Sequence, residues 1–143
     1  KSLSLFILLE CIKEKRSCYI ISFSISIECL DLTNIGDKGV LNKFIDFLGN
    51  SFHGGTDFEP CLNHALEILE NKSFKKADVL VISDFYVGDF SNDFLQKIAN
   101  QKKRDTRFFS LLVGRKSDGN QEVINQFTDN WWYEKNKIVK IKK

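Results

Sequence analysis

Two short polar segments of the chain carry oxygen donors of the kind that hold a hard cation: His53-Gly54-Gly55-Thr56-Asp57 and Ser83-Asp84-Phe85. A threonine hydroxyl and carboxylates are the donors that magnesium or manganese takes. Neither segment sets a nucleophile beside a base, so the chemistry on offer is binding and not turnover. Each segment also has a plain structural reading. Thr56 with Glu59 three positions on spells a capping box, Asp57 suits the positive end of a helix, and Pro60 is tolerated in a first turn. Asp84 on its own reads as a solvated turn acid. What favours a joint site is the position of the elements that carry the two segments.

Leu5, Leu8, Leu9 and Ile12 recur at helical spacing, and the segment closes on Lys13, Lys15 and Arg16, cations that suit a helix C-terminus. The run Cys18 to Ile27 is β-branched and aromatic, and a further run, Glu28 to Leu32, follows with little or no turn, which predicts two successive strands. Val40, Leu41, Phe44, Ile45 and Leu48 mark a second helix ending near Gly49. Phe58, Leu62, Ala65, Leu66 and Leu69 mark a third. Ala77 to Ile82 is a near-continuous apolar run, the pattern of a parallel strand buried on both faces, and it stops abruptly at Ser83-Asp84. Ser91 to Arg104 predicts another helix, Arg107 to Val113 the next buried strand, Gly119 to Phe127 a last helix, and Trp131 to Tyr133 or Ile138 to Ile141 a last strand. This alternation specifies an α/β fold with a mostly parallel sheet. Ligands of such sheets bind beyond the carboxyl ends of the strands, which puts both polar segments at the binding end.

The 143 residues suffice for one domain, and 43% hydrophobic content with 13 phenylalanines is a globular composition. The 21 basic and 19 acidic residues are interspersed, giving no reason to expect nucleic acid or lipid as a partner. No apolar run reaches the roughly 18 residues of a membrane span, and the first residues lack signal-peptide flanks, so a cytoplasmic setting is expected. Cys11, Cys18, Cys29 and Cys61 are irregularly spaced and read as reduced core thiols; Cys61 and His64, one turn apart, could give half a zinc site, with no second pair to complete it. The absence of methionine, even at position 1, and a helical pattern from the start predict an N-terminally truncated fragment of a longer polypeptide, residues 1–143 being a single domain. The tail has five lysines in nine residues alternating with Ile138, Val139 and Ile141, as in an edge strand with protective lysines or a basic patch for an acidic partner. Trp131 and Trp132 suit a partner hot spot or, for one of them, burial beneath the last helix.

The segment Phe52-His53-Gly54-Gly55-Thr56-Asp57, a following helix, and then Val79-Leu80-Val81-Ile82-Ser83-Asp84-Phe85 resembles the second and third segments of the metal-ion-dependent adhesion site (MIDAS) of von Willebrand factor A (VWA) domains. The chain is similar in particular to the C-terminal VWA domain of bacterial ViaA-type and CoxE-like proteins, where a GGTD turn, an ISDF strand end, an Arg-Phe strand start (here Arg107-Phe108) and a late aspartate followed by tryptophan (Asp129-Asn130-Trp131) recur in this order. The resemblance covers nearly the whole chain. It implies a three-layer Rossmann-like fold whose mostly parallel six-stranded sheet has one antiparallel edge strand, the counterpart of Glu28 to Leu32. It further implies Thr56 and Asp84 as residues holding Mg2+ or another divalent cation such as Mn2+, directly or through water. Gly54 and Gly55 would let the loop approach, Asp57 and Ser83 would support the site, and His53 and Phe85 would be positions of partner contact.

The implied function is metal-dependent protein binding without catalysis. The partner would be a MoxR-type AAA+ ATPase, or its substrate protein supplying a carboxylate, with this chain as adaptor or co-chaperone. The family's first metal segment, Asp-x-Ser-x-Ser after a central first strand, is not found in these residues. Ser2-Leu3-Ser4 is no substitute, because it sits on a helical stretch too close to Cys18. Metal affinity is therefore expected to be weak or absent in this chain, and the sheet to lack its middle strand. Two other readings stay open: a hydrolase or phosphatase on a doubly wound sheet using Asp84, although no Gly-x-Gly-x-x-Gly follows a strand and no P-loop is present, and a scaffold VWA domain with a decayed metal site.

Overall fold

A computed structural model describes residues 2–23, 26–34, 36–49 and 58–142. Helix α1 (Ser2–Lys13) ends in a turn in which Lys15 takes a φ of 52° and Arg16 N–H donates to the Cys11 carbonyl at 2.9 Å. The chain then enters β1 (Cys18–Phe23), which pairs antiparallel with β2 (Ile27–Leu32), Ile20 opposite Leu30 and Ile21 opposite Cys29. Helices α2 (Val40–Gly49) and α3 (Phe58–Leu69) follow. The rest alternates as β3 (Val79–Ser83), α4 (Asn92–Lys103), β4 (Phe108–Val113), α5 (Gln121–Ile124), β5 (Asp129–Glu134) and β6 (Lys137–Lys140). Strands β3, β4 and β5 are parallel and β6 closes the edge antiparallel, in the order β3-β4-β5-β6.

Residues opposite one another in register share a face, so the layers follow from the pairing. On one side of β1–β2, Leu8 of α1 and Val40 and Phe44 of α2 bury against Leu32, with Cys18, Ile20 and Leu30 packed around them. On the other side Tyr19 and Phe23 meet α3, the Phe23 ring 5.4 Å from that of Phe58. Leu62, Leu66 and Leu69 of α3 also join Val81, Phe108 and Leu112 of the larger sheet, Phe94 and Ile98 of α4, and Val123 and Ile124 of α5 in the main core. Helix α3 therefore spans both sheets. Each fully buried phenylalanine here, such as Phe94 or Phe108, contributes about 1.5–3 kcal/mol by leaving water.

The α/β class and the mostly parallel sheet agree with expectation, as does an antiparallel edge at β2. The strands do not form one six-stranded sheet. Among the described residues β1 and β3 each pair on one edge only, leaving a two-stranded and a four-stranded sheet. A second antiparallel edge also exists, because the two alternatives for the last strand both form and pair as a hairpin. Its turn residues Lys135 (φ 47°) and Asn136 (φ 63°) take the left-handed conformation a two-residue hairpin needs. Helix α5 is shorter than the predicted Gly119 to Phe127 span, since backbone turns replace it from Asn125 on. The lysine-rich β6 lies at the sheet edge with all four residues exposed.

Candidate functional site

At the carboxyl end of β3 the apolar run gives way to three residues with separate tasks. Ser83 is 9% exposed, and its Oγ accepts the Phe85 N–H at 3.0 Å. Asp84 is exposed; its Oδ1 accepts the Tyr86 N–H at 3.1 Å and lies 3.5 Å from Ser83 Oγ. Among the described residues its carboxylate makes no ion pair. Phe85 is fully buried with a φ of 55°, a conformation that costs a side-chain-bearing residue about 1–2 kcal/mol. Its ring stands edge-on to Phe58 and Phe127, centroids 5.6 Å away in each case, and this packing holds the strained turn.

The loop between β4 and α5 clamps the same turn from the side. Asn120 N–H donates to the Phe85 carbonyl at 2.8 Å, and its side-chain Nδ2 donates to the Val87 carbonyl at 3.1 Å and to Asp89 at 2.8 Å. Asn120 Oδ1 meanwhile accepts the N–H groups of Glu122 and Val123, capping α5. A Cβ on Gly119 would lie 3.2 Å from the Asp84 carbonyl oxygen, so a side chain here would push the loop and the turn apart by a few tenths of an ångström. Gly119 and Asn120 were not singled out by the sequence reading. The signal was present as an N-cap asparagine ahead of Gln121-Glu122, although a cap alone says nothing of its partner across the crest.

Ser83, Asp84 and Phe85 thus stand together at the strand end, whereas His53, Gly54, Gly55, Thr56 and Asp57 lie outside the described residues. The element that follows that loop is nonetheless fixed. Phe58, the residue next after Asp57, is buried and packs directly on Phe85, the residue next after Asp84. Glu59, in the first turn of α3, accepts the Ser91 N–H at 2.9 Å and the Ser91 hydroxyl at 2.7 Å. These bonds, the backbone one foremost, hold the Glu59 carboxyl below its ordinary range, and Ser91 in turn caps α4.

The described residues do not make a cation cage. The strand end offers one outward carboxylate, the Ser83 hydroxyl serves the Phe85 N–H, and no three His, Cys, Asp or Glu residues converge among them. Half a zinc site at Cys61 and His64 finds no support either. Burial pushes the Cys61 thiol up to about 12, while His64 Nε2 lies 3.5 Å from the Tyr19 hydroxyl and Nδ1 3.5 Å from Glu67. No helix of the described residues is long and apolar enough to cross a membrane.

No family model matches the chain. Among curated proteins it is similar to the regulatory protein ViaA of Proteus mirabilis (strain HI4320), with 26% identity over 135 residues. That alignment takes in 94% of this chain but only 27% of the relative, so the chain spans about a quarter of that protein's length. The likeness to ViaA read from the motifs is supported by this match.

Proposed function

We propose that the chain is the partner-binding module of a VWA-type adaptor, engaging protein through a divalent cation and catalysing no reaction. The observation that carries this reading is the Phe58–Phe85 contact, because it sets Phe58, the residue that follows the Gly54-Gly55-Thr56-Asp57 segment in sequence, beside the turn that directs Asp84 outward. Asp84 and Thr56 would hold Mg2+ or Mn2+, with Asp57 and Ser83 supporting them, and the cation would accept a carboxylate from the partner. His53 would be a position of partner contact; the burial of Phe85 makes that residue a support for the crest, leaving contact to its neighbour Tyr86, which is 77% exposed.

A VWA arrangement is supported by two strand edges that are unpaired among the described residues. One further strand between β1 and β3 would join both sheets into one, in the order β2-β1-new-β3-β4-β5-β6, while α3 already packs across that position. In the family the first metal segment follows that strand, which ties the cation site to completion of the sheet. The likeness to a protein named for regulation favours an adaptor over an enzyme, and a MoxR-type AAA+ ATPase or its substrate protein is the partner we propose.

The experiment is retention of a purified MoxR-type ATPase on the immobilised protein, with magnesium, with chelator, and with Asp84→Asn. The reading expects retention only with magnesium and wild-type Asp84. Retention indifferent to both would remove the metal dependence, and none in any condition would remove the partner. Phosphatase activity lost in Asp84→Asn would replace the adaptor with an enzyme.

A further inference from the structure

Strand β6 alone among the described strands is exposed at every residue. It pairs with β5 and, among the described residues, with nothing else, and its apolar pair stands in solvent, Ile138 at 53% and Val139 at 48% exposure. The phase of the hairpin shows which backbone groups face outward. Ile141 N–H donates to the Asn130 carbonyl at 2.8 Å, one step beyond the Trp131–Lys140 pair. In an antiparallel ladder alternate residues exchange such bonds, so Lys137, Val139 and Ile141 turn their N–H and C=O groups to β5. Ile138 and Lys140 turn theirs to the free edge.

The side chains along this edge specify what can join it. From Glu134 to Lys142 four lysines, Lys135, Lys137, Lys140 and Lys142, stand against one acid, in a chain whose formal charge is only +2. Lys140 is drawn back over β5, its Nζ 2.7 Å from Asp129 and 5.7 Å from the centre of the Trp131 ring, so its ammonium does not lie across the edge. The other three make no ion pair among the described residues. Lysines on an edge strand ordinarily deter pairing. For an acidic strand the deterrent becomes an attraction, because opposite charges facing one another across two strands stabilise the pair. We infer that the free edge of β6 takes up an extended acidic segment of a partner protein as a further strand of the sheet. The segment bonds through its backbone to Ile138 and Lys140, sets carboxylates opposite Lys137 and Lys140, and sets apolar side chains opposite Ile138 and Val139. Its pattern is acidic, apolar, apolar, acidic, which reads the same in both directions and suits parallel or antiparallel entry. No residue of the proposed cation site takes part, so the contact stands whether or not that site binds metal.

Fluorescence anisotropy of a labelled hexapeptide, two valines between pairs of glutamates, tests this on the purified protein. EDTA in the buffer removes any cation at Asp84 that would otherwise hold the glutamates. Binding is expected below about 1 mM protein. Ile138→Pro removes one outward N–H and no ladder bond, at an edge position that tolerates proline, and should weaken binding about tenfold, whereas Ile138→Val should keep it. Replacing Lys135, Lys137 and Lys142 together by glutamate should abolish binding. N-methylation of every peptide amide should abolish it too, since the charge stays and the backbone donors go. No binding overturns the inference. So does binding that needs the lysines yet tolerates both Ile138→Pro and the N-methylated peptide, the mark of charge attraction alone. Retention on phosphatidylserine vesicles without peptide binding, or self-association that Ile138→Pro dissolves, gives the edge another occupant and overturns it as well.

Discussion

Replacing Phe85 tests whether the crest of β3 is held by its core contact. The ring is fully buried between Phe58 and Phe127, so Phe85→Ala should cost about 3–5 kcal/mol, as for other buried phenylalanines cut to alanine. Alanine at this position keeps the left-handed φ of 55° and its strain of about 1–2 kcal/mol. Phe85→Gly empties the same space yet takes that φ freely. Its entropic disadvantage of roughly 0.5–1 kcal/mol against alanine is then offset, and the two variants should be equal or the glycine form up to about 1 kcal/mol the more stable. Urea denaturation followed by tryptophan fluorescence reads this as the midpoint shift at constant slope. A loss under about 1.5 kcal/mol for alanine would show that the ring does not fill the core as described. A glycine variant clearly below the alanine one would show that the turn is unstrained.

The other expectations follow from single contacts. Gly119→Ala sets a Cβ 3.2 Å from the Asp84 carbonyl and 3.1 Å from Ile124 Cδ1, and should destabilise by about 1–3 kcal/mol, seen as a lowered melting temperature. Ser110→Ala removes the hydroxyl that donates to the fully buried Asn130 Oδ1 at 2.6 Å, leaving an orphaned acceptor worth about 1–3 kcal/mol; the same urea assay reads it. Glu59 has its folded carboxyl lowered by Ser91, so its contribution is complete above the ordinary glutamate range and fades as pH falls through that range and below. Melting temperature should therefore drop with acid less steeply in Glu59→Gln than in the wild type. Cys18 and Cys61, both raised to about 12 with burial the leading cause, should resist iodoacetamide at neutral pH while the exposed Cys29 reacts, as mass spectrometry of the labelled native protein would report.

Much of this arrangement was legible in the sequence because apolar periodicity survives packing. The Ala77 to Ile82 run predicted a parallel strand buried on both faces; the parallel strand forms as β3, with Val81 buried but its neighbour Leu80 43% exposed, and the abrupt stop at Ser83-Asp84 did mark the crest. Less legible were features set by partners distant in sequence. Nothing near Glu59 in the sequence announces that its carboxylate binds Ser91, 32 residues on at the start of α4. The hairpin turn at Lys135-Asn136 carries no glycine, so the two final strand candidates read as alternatives and not as a pair. The two tryptophans also looked alike. Register separates them: Trp132 packs toward the main core with Nε1 donating to the Gly114 carbonyl at 3.0 Å, and Trp131 turns to the opposite face of the sheet.

The unpaired edges of β1 and β3 bear on both the fold and the proposed site, and amide hydrogen exchange can address them together. Among the described residues strand β4 is bonded on both sides, by β3 and by β5, whereas β3 is bonded to β4 alone and β1 to β2 alone. Backbone groups without a partner exchange through local opening, and an unsatisfied strand edge opens more easily than an interior strand. The amides of β4 should therefore be the slowest in the molecule, and β3 should be markedly faster although Val81 is as buried as Leu111. Equal protection of β3 and β4 would mean that something already occupies the edge, and the case for an inserted strand bearing the first metal segment would fail. Slow exchange in β3 that appears only when an upstream segment is supplied would join sheet completion to cation binding at Asp84.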